Sequence, residues 1–146
     1  MADWIDNWEQ FKEIRKKYRE TRDCMVVSFA TVWDAPYEAA HHHMKTQFKR
    51  KPRRGVPYDI GREQAMQRCP KTKMRAGPYT EDNKISLEKF CLAHPVGRYW
   101  VFVRGHALAV IDGVIHDHSH KPRRMVQKAY RVYPAALYPD AYDKPA

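Results

Sequence analysis

The segment ALAVI-DG-VIHD, residues 107–117, constrains this chain more than any other. Asp-Gly between two runs of apolar and branched residues is the strongest short-range signal for a β-hairpin, because a type I′ turn needs positive φ at both central positions. With Asp112 and Gly113 as the two loop residues, Ile111 opposes Val114, Leu108 opposes Asp117 and His106 opposes Ser119. Opposed residues share a face and side chains alternate along a strand. His106, Leu108, Val110, Ile115, Asp117 and Ser119 therefore lie on one side, and Asp117 is the diagonal neighbour of His106, within reach of a carboxylate–imidazole contact. The parity rests on the loop length: one residue more or fewer sends Asp117 to the opposite face.

The remaining elements divide into helices first and strands second. Residues 3–20 read as an amphipathic helix, with Trp4, Trp8, Phe11 and Tyr18 at three- and four-residue steps. Capped by Thr21 or Asp23, a second helix runs through Trp33 and is apolar nearly all round, so it is expected to be buried. Asp34 and Pro36 open a third, with Tyr37, Ala40, His41, Met44 and Phe48 along one face. Residues 49–61 read as loop, 62–69 as a short helix, 70–83 as loop, and 85–95 as a helix with Ser86 as N-cap, ended by Pro95. RYWVFVR (98–104) carries a strand signal, and MVQKAYRVYP (125–134) a further one. The tail from about residue 134 is expected to lie extended over the surface. The expected architecture is one α+β domain over residues 1–146, N-terminal helices packed on a C-terminal antiparallel sheet.

Composition narrows the class. Hydrophobic residues at 43% and charged residues at 30% indicate a globular chain. No apolar run approaches the roughly 20 residues that span a bilayer, and the first ten residues lack the pattern of a secretory signal. Three cysteines, Cys24, Cys69 and Cys91, fit neither a disulfide framework nor a zinc module, so free thiols in a cytoplasmic setting are expected. The net charge of +10 favours anionic partners. It concentrates in two proline-containing loops: Lys49, Arg50, Lys51, Arg53 and Arg54, and Lys121, Arg123 and Arg124. Either these contact nucleic acid or an acidic protein, or they are solvated surface. No metal is expected. His116, His118 and His120 alternate and so point away from Asp117, and no carboxylate or cysteine completes a ligand set; His41–His43 spread around a helix.

A histidine held by a carboxylate is the base half of a nucleophile–base–orienter arrangement. Cys24 is the candidate nucleophile, since it opens the buried helix where free N–H groups and the helix dipole favour a thiolate and can bind an oxyanion. Asp23 beside it opposes the thiolate unless its side chain is consumed as the cap. Cys24 as a small buried hydrophobe is the bland alternative. The order of DCMVVSFATVW and GHALAVIDGVIHD resembles papain-like cysteine peptidases. Together with DAPYEAAHHHM and the RKPRRGVP loop, roughly residues 20–120 resemble the small papain-like proteins of bacteriophages. That resemblance implies Cys24 as nucleophile, His106 as general base and Asp117 as orienter of a thiol hydrolase acting on a peptide or isopeptide bond without a cofactor. The implied setting is the host cytoplasm or the virion. One departure stands out: the family places a glutamine or asparagine just ahead of the cysteine, whereas YRETRD precedes Cys24 and Asn7 lies further back. A non-catalytic binding protein on the same scaffold, and a deamidase or transglutaminase-type acyl transferase, are the alternatives.

Overall fold

The Asp112-Gly113 hairpin lies inside a six-stranded sheet. The computed structural model describes residues 3–55, 73–76 and 85–134. In chain order these form β1 (Trp4–Asp6), α1 (Asn7–Gln10), α2 (Lys12–Lys17), α3 (Cys24–Trp33), α4 (Tyr37–Gln47), β2 (Lys73–Ala76), β3 (Ile85–Ser86), α5 (Leu87–Ala93), β4 (Arg98–Val103), β5 (His106–Ile111), β6 (Val114–Asp117), β7 (Met125–Val126) and β8 (Lys128–Tyr133). The sheet order is β1-β6-β5-β4-β8-β2, and β3 pairs separately with β7. The fold is α+β, as expected.

The turn has the expected form. Asp112 and Gly113 take φ of 50° and 76°, and Ile111 faces Val114. The Asp112 carboxylate accepts the Gly97 N–H at 2.8 Å, fastening the turn to the loop ahead of β4. A Cβ at Gly113 would come within 3.2 Å of the Cys91 carbonyl oxygen, so glycine is required by space as well as by φ.

Both faces of the central strands are covered, which explains why β4 and β5 are apolar without alternation. On one face Val26, Phe29, Val32, Tyr37, Met44 and Phe48 of α3, α4 and the turn beyond pack on Trp100, Phe102, Ala107, Ala109, Tyr130 and Val132. Small residues at 107 and 109 let α3 approach β5 closely. On the other face Leu87, Phe90 and Cys91 of α5 pack on Tyr99, Val101, Val103, Leu108, Val110 and Ile115. Arg98 reaches from β4 to the C-terminal end of α3, donating to the carbonyls of Val32 (2.8 Å) and Thr31 (2.6 Å), where a cation complements the negative end of the helix dipole.

Four expectations are corrected. Residues 3–20 are not one helix: β1 pairs parallel with β6, then α1 and α2 follow, broken at Phe11. The sheet edge at β6 takes the first residues, with Ile115 N–H donating to Asp3 O at 2.9 Å and Trp4 Nε1–H to Asp117 O at 3.0 Å. The sheet is consequently mixed rather than antiparallel throughout. Asp34 does not cap α4; it ends α3 in the left-handed region, φ 53°, and Pro36 is the N-cap of α4. The loop expected at 70–83 contains strand β2, paired with β8. Ser86 does cap α5, accepting the Lys89 N–H at 3.2 Å. The helix expected at 62–69, Cys69 and the tail beyond Pro134 lie outside the described residues.

Candidate active site

Cys24 is the first residue of α3 and is partly exposed. The first helical hydrogen bond runs from Val27 N–H to Asp23 O at 2.9 Å, so the N–H groups of Cys24, Met25 and Val26 have no acceptor within the helix. Asp23 does not cap them with its carboxylate. Instead, fully buried, it accepts two hydrogen bonds from Arg15, both at 2.8 Å, and one from the Tyr37 hydroxyl at 2.8 Å. The Arg15 guanidinium thus faces that carboxylate as its counter-charge. The Arg15 guanidinium also lies over the Trp8 ring, 3.9 Å from its centroid.

The segment entering α3 is fixed by a second buried ion pair. Glu20 receives both Nη1 and Nη2 of Arg50, at 2.6 and 2.9 Å, and its Oε2 lies 2.8 Å from His41 Nε2. Burial pushes the Glu20 carboxyl up, but the hydrogen bonds and charge of Arg50 and the His41 contact outweigh it and hold its pKa below the usual value. Arg50 is thus 5% exposed and unavailable to a partner, correcting its place among the basic-loop contacts. Its neighbours Lys49, Lys51, Arg53 and Arg54, with Lys121 and Arg123, are exposed, and Arg124 is half-buried.

His106 opens β5 after Gly105, whose φ is 67°. The diagonal contact anticipated from the turn is made: His106 Nε2 lies 2.7 Å from Asp117 Oδ1, with the two side chains 11% and 3% exposed. Cys24 also bears on this ring, favouring its protonated form. Burial pulls the imidazole pKa down; hydrogen bonds to Asp117 and Cys24, and then their charges, overcome it and raise it to about 9. For Asp117, burial pushes up, while the hydrogen bond and charge of His106, the His118 N–H and the His118 charge bring the carboxyl below its ordinary value. The pair is therefore imidazolium–carboxylate at neutral pH.

His118 was expected to point away from Asp117 and does not. β6 ends at Asp117 and the chain bends, so strand alternation stops. The His118 N–H and ring Nδ1 both approach Asp117 Oδ1, at 2.8 and 3.0 Å, and its ring packs 4.5 Å from Trp8 and 5.1 Å from His106. His116 does face elsewhere, into a cavity with Arg98 and Asp34, and His120 stacks on Trp4. Ligand atoms of His106, Asp117 and His118 fall within 4.8 Å of one another, so a carboxylate does complete a three-ligand set that sequence reasoning denied. As placed, the three side chains satisfy one another: contacts of 2.7 and 3.0 Å are shorter than the roughly 3.3 Å that separates ligands around a tetrahedral zinc.

Asn7 is buried but bonds Thr31 Oγ1 at 3.0 Å, two turns along α3 from Cys24. It does not serve the helix start, where the backbone N–H groups of Cys24, Met25 and Val26 lie. Cys91, on α5, is buried against the sheet, and burial, then Glu88, push its thiol up to about 11. No family model, no curated protein and no solved structure matches this chain.

Proposed function

We propose that this chain is a papain-like thiol hydrolase, phage-encoded and acting in the host cytoplasm or from the virion, that cleaves a peptide or isopeptide bond. The observation that supports it is the buried His106–Asp117 contact at 2.7 Å, with Cys24 at the start of a buried helix bearing on the same ring. The Cys24 thiolate adds to the carbonyl carbon, and the oxygen gathers negative charge beside the N–H groups at the start of α3. As the carbon–nitrogen bond breaks, His106 gives its proton to the leaving amine, and a thioester remains. Water then adds, giving a proton to His106; the carbon–sulfur bond breaks, the acid departs and the thiolate is restored. Asp117 keeps the ring oriented and balances its charge through both halves. A side-chain amide entering the same steps would be deamidated, and an amine replacing water would be transamidated. Among the described residues no helix is long and apolar enough to cross a membrane.

Iodoacetamide labelling of wild type against His106→Ala tests this reading. Cys24 should react far faster than Cys91, and His106→Ala should slow it at least about tenfold. Equal, slow labelling of both thiols, insensitive to His106, would defeat the proposal. The exposed cations favour one rival, a non-catalytic adaptor for nucleic acid or an acidic protein. It predicts binding that falls steeply with salt and survives alkylation of Cys24.

A further inference from the structure

We propose that Arg104, Arg123 and Arg124 form a subsite for carboxylate groups, which holds an acidic peptide segment of the substrate beside the triad. Its role as a substrate subsite rests on the thiol-hydrolase reading; its existence as a binding site does not.

Two cavities adjoin on the loop after β6. One, of about 490 Å³, is lined by Lys121, Pro122, Arg123 and Arg124. The other, of about 410 Å³, shares Arg123 and Arg124 and adds Arg104 and Gln127. Arg104 lies in the turn between β4 and β5, two positions before His106, and Val103 pairs with His106 across that turn. The cavities therefore open at the end of the sheet that carries the triad. None of the four cations has a carboxylate partner among the described residues.

One donor is conspicuously unused. Arg124 Nη1 is shielded from solvent and meets no acceptor among the described residues, and the Gln127 side-chain oxygen beside the same cavity is likewise unpartnered. A buried charged donor without an acceptor is costly, and a guanidinium fork matches a carboxylate in two parallel bonds. Exchanging the amide oxygen and nitrogen of Gln127, which are interchangeable by a half-turn, would add a further donor. The loop is already set: Leu87 N–H donates to Arg124 O at 2.8 Å and Glu88 N–H to Pro122 O at 2.9 Å. A subsite held in this way loses little freedom on binding.

The described linings carry no aromatic ring for a base to stack on, whereas Val103, Pro122 and Met125 suit the methylenes of glutamate. Acidic peptide is favoured over nucleic acid on that ground.

Fluorescence anisotropy with fluorescein-labelled hexaglutamate measures binding without any bond cleavage. Wild type should bind saturably. Arg123→Gln/Arg124→Gln should weaken binding at least about tenfold, and Arg104→Gln, on an exposed turn, by several fold. Lys49→Gln/Arg53→Gln/Arg54→Gln removes three charges from the loop after α4, which lines neither cavity among the described residues, and should change affinity far less. Thermal unfolding of each variant separates lost binding from lost fold. Equal weakening by the triple variant, undiminished binding in both groove variants, or a single-stranded DNA decamer binding more tightly than the peptide would each overturn the proposal. An inert Cys24 would not affect this measurement, and a failure here would leave the triad reading intact.

Discussion

His106 is pulled two ways. Removing an imidazole from water favours its neutral form, yet Asp117 and Cys24 hold the proton on it and lift its pKa to about 9. Because the folded value exceeds the unfolded value of about 6.5, the protonated form stabilises the fold. That contribution is fully present below pH 6.5 and is lost as the pH rises through about 9. The interval corresponds to about 3 kcal/mol at about 1.4 kcal/mol per pH unit. Urea unfolding of wild type and His106→Gln should therefore differ most near pH 6, with the difference shrinking by that order toward pH 9.5. In Asp117→Asn the burial remains while the counter-charge is gone, so the His106 ring proton signal in NMR should titrate well below 9. A ring still titrating near 9 in that variant would show that Asp117 is not what holds the proton.

At the level of elements, the site depends on a two-residue turn. Inserting one glycine between Asp112 and Gly113 moves Asp117 to the opposite face of β6 if the turn stays at two residues and β6 slips by one against β5. Cys24 labelling in that variant should fall to the His106→Ala rate, and a rate like wild type would mean that the dyad does not depend on turn parity. The hairpin was legible because Asp-Gly fixes loop length, and loop length fixes which residues share a face. α3 was legible because a helix apolar nearly all round must be enclosed, and every residue of it from Met25 to Trp33 is buried. The N-terminal segment was misread for a physical reason: Trp8, Phe11, Ile14 and Tyr18 do form a face against the core, but Trp4 is drawn to the open edge of β6 by hydrogen bonds no local pattern encodes. Arg15–Asp23 and Arg50–Glu20 were invisible likewise, since sequence shows charges without showing which will be enclosed together. His118 was misplaced because alternation was carried one residue past the end of its strand.

Across the whole molecule, one sheet serves two cores, and the triad draws on both. Cys24 belongs to the α3 layer. By alternation His106 and Asp117 belong with Leu108, Val110 and Ile115, the residues that meet α5. Cys24 opens α3, while His106 opens β5 and Asp117 ends β6, so neither layer alone can assemble them. Leu108 is 1% exposed and lies on the α5 side, away from buried Trp100 and Trp33 of the other core. Leu108→Ala should cost about 2–5 kcal/mol through lost burial and the cavity left behind. If β4 and β5 couple the cores, that cost reaches the other face in full. Tryptophan fluorescence, far-UV circular dichroism and the urea dependence of Cys24 labelling should then all move to the same lower midpoint. A tryptophan transition unmoved while circular dichroism shifts would mean that the α5 layer melts on its own, and that the thiol and its base are joined less firmly than a shared sheet requires.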